Sequence, residues 1–147
     1  GAMGGAALVG LGIAQAQPQK RVMVITGDGE QLMAFGALAT ISVAGPKNLD
    51  VIVLDNHHFG ETGMQQSHTG RGIAFHKVAQ ATGFAESAEL RSLDEVDDLV
   101  SRLRTPAAGP RLFVLKINAE NLPRSLPLRD ATHVKNRFRA HLGLATC

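Results

Sequence analysis

Three short stretches of the chain are apolar almost without a break: Val22-Met23-Val24-Ile25, residues 49–54 with Val51-Ile52-Val53-Leu54 at their centre, and residues 111–117. Stretches this short predict strands, and their lack of alternation predicts strands covered on both faces, as in a parallel sheet. Elsewhere the apolar positions return at helical spacing. Residues 30–44 predict one helix with Leu32, Phe35, Gly36, Ala39 and Val43 on its inward stripe, and residues 72–82 predict a second with Ile73, Phe75, His76, Val78 and Ala79 toward the core. Ser92-Leu93-Asp94-Glu95 has the form of a capping box and opens a third helix to residue 104, with Leu93, Val96, Leu99, Val100 and Leu103 inward. Its acidic first turn and its Arg102 and Arg104 suit the helix dipole, so those charges need no chemical role.

Breakers separate these elements at Gln17-Pro18-Gln19-Lys20, Gly45-Pro46-Lys47-Asn48 and Thr105-Pro106-Ala107-Ala108-Gly109. Alternation of strand and helix predicts a single α/β domain over residues 1–147, a three-layer arrangement of a mostly parallel sheet with helices on both faces. Residues 119–147 form its C-terminal arm and helix: Pro123 and Pro127 keep the arm irregular, and a basic helix follows over 130–142. The first 17 residues are small and apolar and end in Ala14-Gln15-Ala16, the form of a signal-peptide cleavage site. No Lys or Arg precedes the apolar part, and it is too short and glycine-rich to cross a bilayer. It is read as a buried helix whose Gly and Ala residues allow close approach to the sheet.

Composition mainly excludes. Six Phe with no Trp or Tyr offer little to stack on bases, and a net charge of +2 draws the chain only weakly to polyanions, so neither nucleic acid nor membrane is expected as a partner. The basic final helix, with His133, Lys135, Arg137, Arg139 and His141, is accordingly expected to be solvated or to face another subunit. Cys147 is the only cysteine, which excludes an internal disulfide and a cysteine-rich zinc site and suits a cytoplasmic setting.

The chemistry gathers at the ends of the first two strands. Gly27-Asp28-Gly29 follows the first, Asp55-Asn56 follows the second, and twenty-six residues separate Gly29 from Asn56. That length suits one right-handed βαβ crossover, which leaves Asp28 and Asn56 at the same carboxyl edge, where open α/β sheets bind ligands. A dinucleotide fingerprint would need a third glycine where Leu32 stands, and a phosphate loop ending in Gly-Lys-Ser/Thr is missing. An Asp beside a bound diphosphate repels it unless a cation lies between. Asp28, Asn56 and a nearby carbonyl would hold a hard divalent ion, whose other ligands are diphosphate oxygens and water, and the start of the following helix favours the phosphate. His57, His58 and His68 have no zinc-site spacing. They lie in a long polar loop, 56–70, expected to be functional and mobile, with a short helix starting near Gly60.

Gly27-Asp28-Gly29 and the spaced Asn56 resemble the motif of thiamin-diphosphate-dependent enzymes. Asn56-His57-His58-Phe59-Gly60-Glu61-Thr62-Gly63, with Gln65 and His68-Thr69 beyond, is similar to the sulfopyruvate and phosphonopyruvate decarboxylases. The similarity runs from Gly1-Ala2-Met3-Gly4 to Leu128-Arg129-Asp130 and Lys135-Asn136-Arg137-Phe138-Arg139; His57 departs from it, where many members carry a second Asn. The resemblance implies the thiamin-diphosphate-binding fold and, within it, the diphosphate domain. It implies Mg2+ held by Asp28, Asn56 and the His58 carbonyl, with Gly27, Gly29, Glu30 and Gly60 around the cofactor and backbone contacts from Gly29 and Glu30 to the diphosphate. At the other end of the cofactor, the Gly1 carbonyl would meet the aminopyrimidine and Met3 would wedge the molecule into a bent form, although Gly1-Ala2-Met3 is equally a common cloning remnant. Glu61, Thr62 and Gln65 would line the substrate pocket near the thiazolium, or else cap the short helix after Gly60.

By the same resemblance the activity is decarboxylation of a small 2-oxo acid to an aldehyde, by a lyase that functions as an oligomer. In this superfamily the acid that activates the aminopyrimidine is a Glu of a separate pyrimidine-binding domain or alpha subunit, so the chain is expected to be inactive without that partner. A carboligase or synthase subunit would share every residue named. From a different class, a non-catalytic magnesium-phosphate module would share the fold.

Overall fold

The structure is a computed structural model and describes residues 3–120, 123 and 125–146. In chain order the elements are α1 (Ala6–Ala16), β1 (Val22–Gly27), α2 (Asp28–Met33), α3 (Ala37–Ala44), β2 (Leu49–Asp55), β3 (His58–Phe59), β4 (Gln65–Gln66), a 3-10 turn (His68–Arg71), α4 (Phe75–Thr82), β5 (Glu86–Leu90), α5 (Leu93–Leu103), β6 (Arg111–Lys116) and α6 (Ala131–His141). The main sheet has four strands in the order β1-β2-β6-β5, every neighbouring pair parallel. β3 and β4 form a separate antiparallel ribbon above its carboxyl edge.

Helices cover both faces of this sheet. On one, Ala7, Leu11 and Ala14 of α1, Leu38 and Ile41 of α3 and Phe75 and Ala79 of α4 close over Val24, Val51, Val53, Leu112 and Val114. On the other, Leu99 and Leu103 of α5 cover Ile52, Phe113 and Leu90. The expected three-layer α/β arrangement follows from strands whose odd and even residues are both apolar. α1 reaches the sheet through its small residues: a Cβ on Gly10 would stand 2.2 Å from Val24 Cγ2, so glycine is required there by the contact.

The structure departs from these expectations locally. The helix foreseen over residues 30–44 is two, because Ala34 leaves helical geometry (φ −115°, ψ 47°) and the buried Gln31 side chain takes up its carbonyl, Nε2 to O at 3.1 Å. After that break the inward face of α3 is Ala37, Leu38 and Ile41, and Val43 is 91% exposed instead of buried. The helix foreseen from residue 72 begins at Phe75, since Gly72 is left-handed (φ 106°) and ends a 3-10 turn. β5 has no strand signature at all: Glu-Ser-Ala-Glu-Leu is mostly polar because it is an edge strand, half covered by α4 and α5. By contrast the capping box forms as expected, the Ser92 side chain accepting from Glu95 N and the Glu95 carboxylate from Ser92 N, although Leu93 is left in solvent at 83% exposure. Asp130 caps α6 by accepting from His133 N, and no residue of that helix is buried. Among the described residues no helix is long and apolar enough to cross a membrane.

Candidate functional site

The parallel register brings the two strand ends together. Gly27 pairs with Leu54, so Asp28, one residue on, and Asn56, two residues beyond Leu54, leave the sheet side by side at its carboxyl edge. Between them opens a hollow of about 360 Å3, the size range of small-ligand sites. Gly27, Asp28, Gly29 and Glu30 line it from the β1–α2 corner, Leu54 and Asn56 from β2, and residues 58–62 from the ribbon, while Met3 and Ile117 close its flanks. Among the described residues no Lys or Arg lines it.

Each motif residue has a local reason for its place. A Cβ on Gly29 would lie 2.6 Å from Phe59 Cδ1, so glycine here lets the ribbon settle over the corner. At Gly27 no atom comes within 4 Å of that point, so open space and not packing surrounds it. Asn56 closes an Asx turn, its Oδ1 accepting from His58 N at 2.9 Å, and the intervening His57 is left-handed (φ 63°). The His58 carbonyl accepts from Gly60 N at 3.1 Å. Glu30 turns its carboxylate away from the opening: Oε2 accepts from Thr26 Oγ1 at 3.0 Å and Oε1 from Ala6 N at 3.4 Å, at the start of α1.

Charge decides what this hollow can hold. Asp28 is a carboxylate only 2% exposed, with hydroxyl donors but no cationic partner among the described residues. A buried anion without a countercharge is costly, and a bare diphosphate in the hollow would lie beside Asp28. The oxygens of Asp28, Asn56 and a ribbon carbonyl suit a hard divalent cation, which answers both objections. No three His, Cys, Asp or Glu side chains converge among the described residues, so such an ion would draw its remaining ligands from what binds in the hollow.

A family model described as the thiamine pyrophosphate enzyme, C-terminal TPP binding domain, matches residues 1–117. The chain belongs to that family. It is 38% identical over 97 residues to the sulfopyruvate decarboxylase subunit beta of Methanocaldococcus jannaschii, covering 66% of this chain and 50% of that one. With the phosphonopyruvate decarboxylase of Streptomyces viridochromogenes it shares 39% identity over 142 residues, 95% of this chain and 35% of the relative. It therefore spans about half the length of the first relative and about a third of the second. A solved structure from Mycobacterium smegmatis, provisionally classed as a thiamin diphosphate-dependent enzyme, superposes with a TM-score of 0.67 at 20% identity, over 82% of this chain and 23% of that one, which supports the fold.

Within this TPP-binding domain most of the expected site residues meet at one place. Asp28, Asn56, His58, Gly27, Gly29, Glu30, Gly60 and Met3 line one hollow, with Glu61 and Thr62 exposed at its mouth. Gly1 lies outside the described residues. Gln65 does not line the hollow; it sits on β4 and bonds Thr62, whose Oγ1 donates to Gln65 Oε1 at 3.1 Å while Gln65 Nε2 donates to the Thr62 carbonyl at 3.3 Å. These pairs span a ribbon, not the first turn of the helix expected near Gly60.

Behind the hollow is a polar chain that the sequence did not reveal. Ser67 Oγ donates to Asp28 Oδ2 at 2.5 Å, and Thr69 Oγ1 lies 3.0 Å from Asp28 Oδ2 and 2.8 Å from Asp55 Oδ1. Asp55 is ion-paired to Lys116, which is also 3.4 Å from Glu89 Oε2. Burial by itself would raise the Asp55 carboxyl, but hydrogen bonds from Lys116, Thr69 and His57 N outweigh it and hold the group below its usual range. Glu89 behaves alike: burial pushes it up, and the Lys116 and Arg91 charges bring it lower than usual. A strand of continuous apolar residues ending in Asp55 was the available signal, because an acid at the end of a buried strand needs partners.

Proposed function

We propose that this chain is the diphosphate-binding half of a cytoplasmic, thiamin-diphosphate- and Mg2+-dependent 2-oxo acid decarboxylase of the sulfopyruvate or phosphonopyruvate type, working only with a pyrimidine-binding partner. One observation carries the reading: the hollow between the β1 and β2 ends is lined by the buried Asp28, which has no cationic partner among the described residues, and by the Asn56 amide, so a diphosphate would be admitted there through a metal. Asp28, Asn56 and the His58 carbonyl would hold the ion, and the backbone N–H groups of Gly29 and Glu30 would meet phosphate oxygens. Bound here, the cofactor would supply the carbon nucleophile and the electron sink that loss of carbon dioxide requires. Glu61 and Thr62, exposed on the ribbon at the mouth, would face the substrate and shield or move a proton there. Names of relatives support both the chemistry and the division of labour, one being a decarboxylase subunit beta.

Neither Glu30 nor Glu61 is placed to serve the aminopyrimidine. Glu30 is committed to Thr26 and α1, and Glu61 follows the metal Asn by five residues on the thiazolium side. The purified chain should therefore release no carbon dioxide from sulfopyruvate, phosphonopyruvate or pyruvate, and release should begin on adding a pyrimidine-binding chain. Turnover by the 147 residues alone would overturn the division of labour, and a complete assembly that binds cofactor without releasing carbon dioxide would overturn the decarboxylase assignment.

A further inference from the structure

The orientation of the metal-binding carboxylate has a visible cause. Asp28 begins α2, which is only six residues long, so the helix alone does little to hold its side chain. The hold comes from the far limb of the 57–70 loop. Ser67 and Thr69 are both buried there, pinned by Ser67 N to the His57 carbonyl at 2.8 Å and by Gly70 N to the Ser67 carbonyl at 3.2 Å. Both hydroxyls converge on one oxygen, Asp28 Oδ2, at 2.5 and 3.0 Å, while Oδ1 has no partner among the described residues.

Proton counting sharpens this picture. A hydroxyl has one proton to give, yet Thr69 Oγ1 stands between two carboxylates, Asp28 at 3.0 Å and Asp55 at 2.8 Å, and also 2.8 Å from Ser67 Oγ. Asp55 is already served by Lys116 and by His57 N at 2.9 Å, whereas Asp28 has no cation. Asp28, without a cation among the described residues, is thus the acceptor in greater need, and Asp55 with Lys116 would become the better acceptor if a divalent ion drew on Asp28. Resting on the metal reading above, we infer that Thr69 is a positioning residue for the metal: with Ser67 it fixes Asp28 so that Oδ1 alone is offered to Mg2+, and Asp55 with Lys116 anchors it in that role. Such outer-shell donors typically change metal affinity ten- to hundredfold when removed.

The test uses the protein in its native assembly. Thiamin diphosphate binding is followed by calorimetry as Mg2+ is varied, and Mn2+ binding in the presence of the cofactor is followed separately by electron paramagnetic resonance. Thr69→Val keeps the shape and removes the hydroxyl; it should raise the half-saturating Mg2+ and Mn2+ concentrations about ten- to hundredfold, while cofactor affinity at saturating Mg2+ stays near that of the parent. Thr69→Ser should restore the parent value, which a purely steric role for Thr69 would not predict. Should Thr69→Val fail to fold, Ser67→Ala carries the test with the same expected direction. Parent-like Mg2+ dependence in Thr69→Val or Ser67→Ala, or no rescue by Thr69→Ser, would overturn this inference alone. Cofactor binding by the parent that is indifferent to Mg2+ would overturn both it and the metal reading.

Discussion

The two ends of β2 each carry a buried aspartate, and the fold treats them in opposite ways. At the amino edge Asp50 is closed off: Arg111 Nε reaches Oδ1 at 2.6 Å, its NH2 reaches Oδ2 at 3.1 Å, and Arg21 adds a third contact at 3.1 Å. Arg111 spends further donors on the carbonyls of Arg102 and Leu103. At the carboxyl edge Asp55 has Lys116, but the chain of contacts runs on through Thr69 to Asp28 and ends there without a cation. The larger hollow, about 710 Å3, lies at the amino edge, lined by Lys20, Arg21, Lys47, Arg104 and Arg111 around Asp50. Size therefore points away from the proposed site. A buried carboxylate without a cationic partner among the described residues distinguishes the carboxyl edge, where α/β sheets generally bind ligands.

Breaking the closed end should have the largest effect on stability. Arg111→Met strands Asp50 with only the half-exposed Arg21, and loss of one partner of a buried pair costs about 3–5 kcal/mol. A urea titration should show the midpoint fall by the corresponding amount, with cofactor affinity of the folded fraction unaltered. A small shift would mean that the amino edge is held by something other than this pair.

The open end should answer in reverse. Asp28→Asn keeps the side-chain size and removes the uncompensated charge, so stability without cofactor should be unchanged or higher. Mg2+-dependent thiamin diphosphate binding should meanwhile fall at least about a hundredfold, which is about 2.8 kcal/mol. Parallel denaturation and calorimetry separate the two quantities. A variant destabilised as much as Arg111→Met would erase the contrast between the edges.

This asymmetry also marks what the sequence could and could not disclose. The strands β1, β2 and β6 and the placement of Asp28 and Asn56 at one sheet edge were legible because continuous apolar runs fix strand ends, and strand ends fix what emerges from them. β5 was hidden, since its partners are supplied by β6, α4 and α5, and an edge strand needs no apolar run of its own. The break at Ala34 depended on one side-chain hydrogen bond from Gln31, a tertiary detail beyond periodicity. Thr69 stood in the family-like motif without a role, because its contacts are to residues 41 and 14 positions away.

Lys116 offers the finest test of the comparison, through pH. Burial alone would lift Asp55, and its carboxyl lies below the ordinary 3.8 only because the Lys116, Thr69 and His57 hydrogen bonds outweigh that cost. A folded value below the unfolded one means that Asp55 adds stability in full above 3.8 and loses it as pH falls through the folded value. Lys116→Met removes the first of those lowering influences and leaves the Thr69 and His57 hydrogen bonds against burial, so ionised Asp55 would contribute less to stability. The parent should accordingly exceed Lys116→Met by about 2 kcal/mol near neutrality, with the gap closing as pH drops below about 4. Glu89 also leans on Lys116, at 3.4 Å, but keeps Arg91 at 2.5 Å; repeating the series in Glu89→Gln isolates the Asp55 share. Urea midpoints across pH 3–7 give the curve, and a gap independent of pH would show that Lys116 acts there by packing and not by charge.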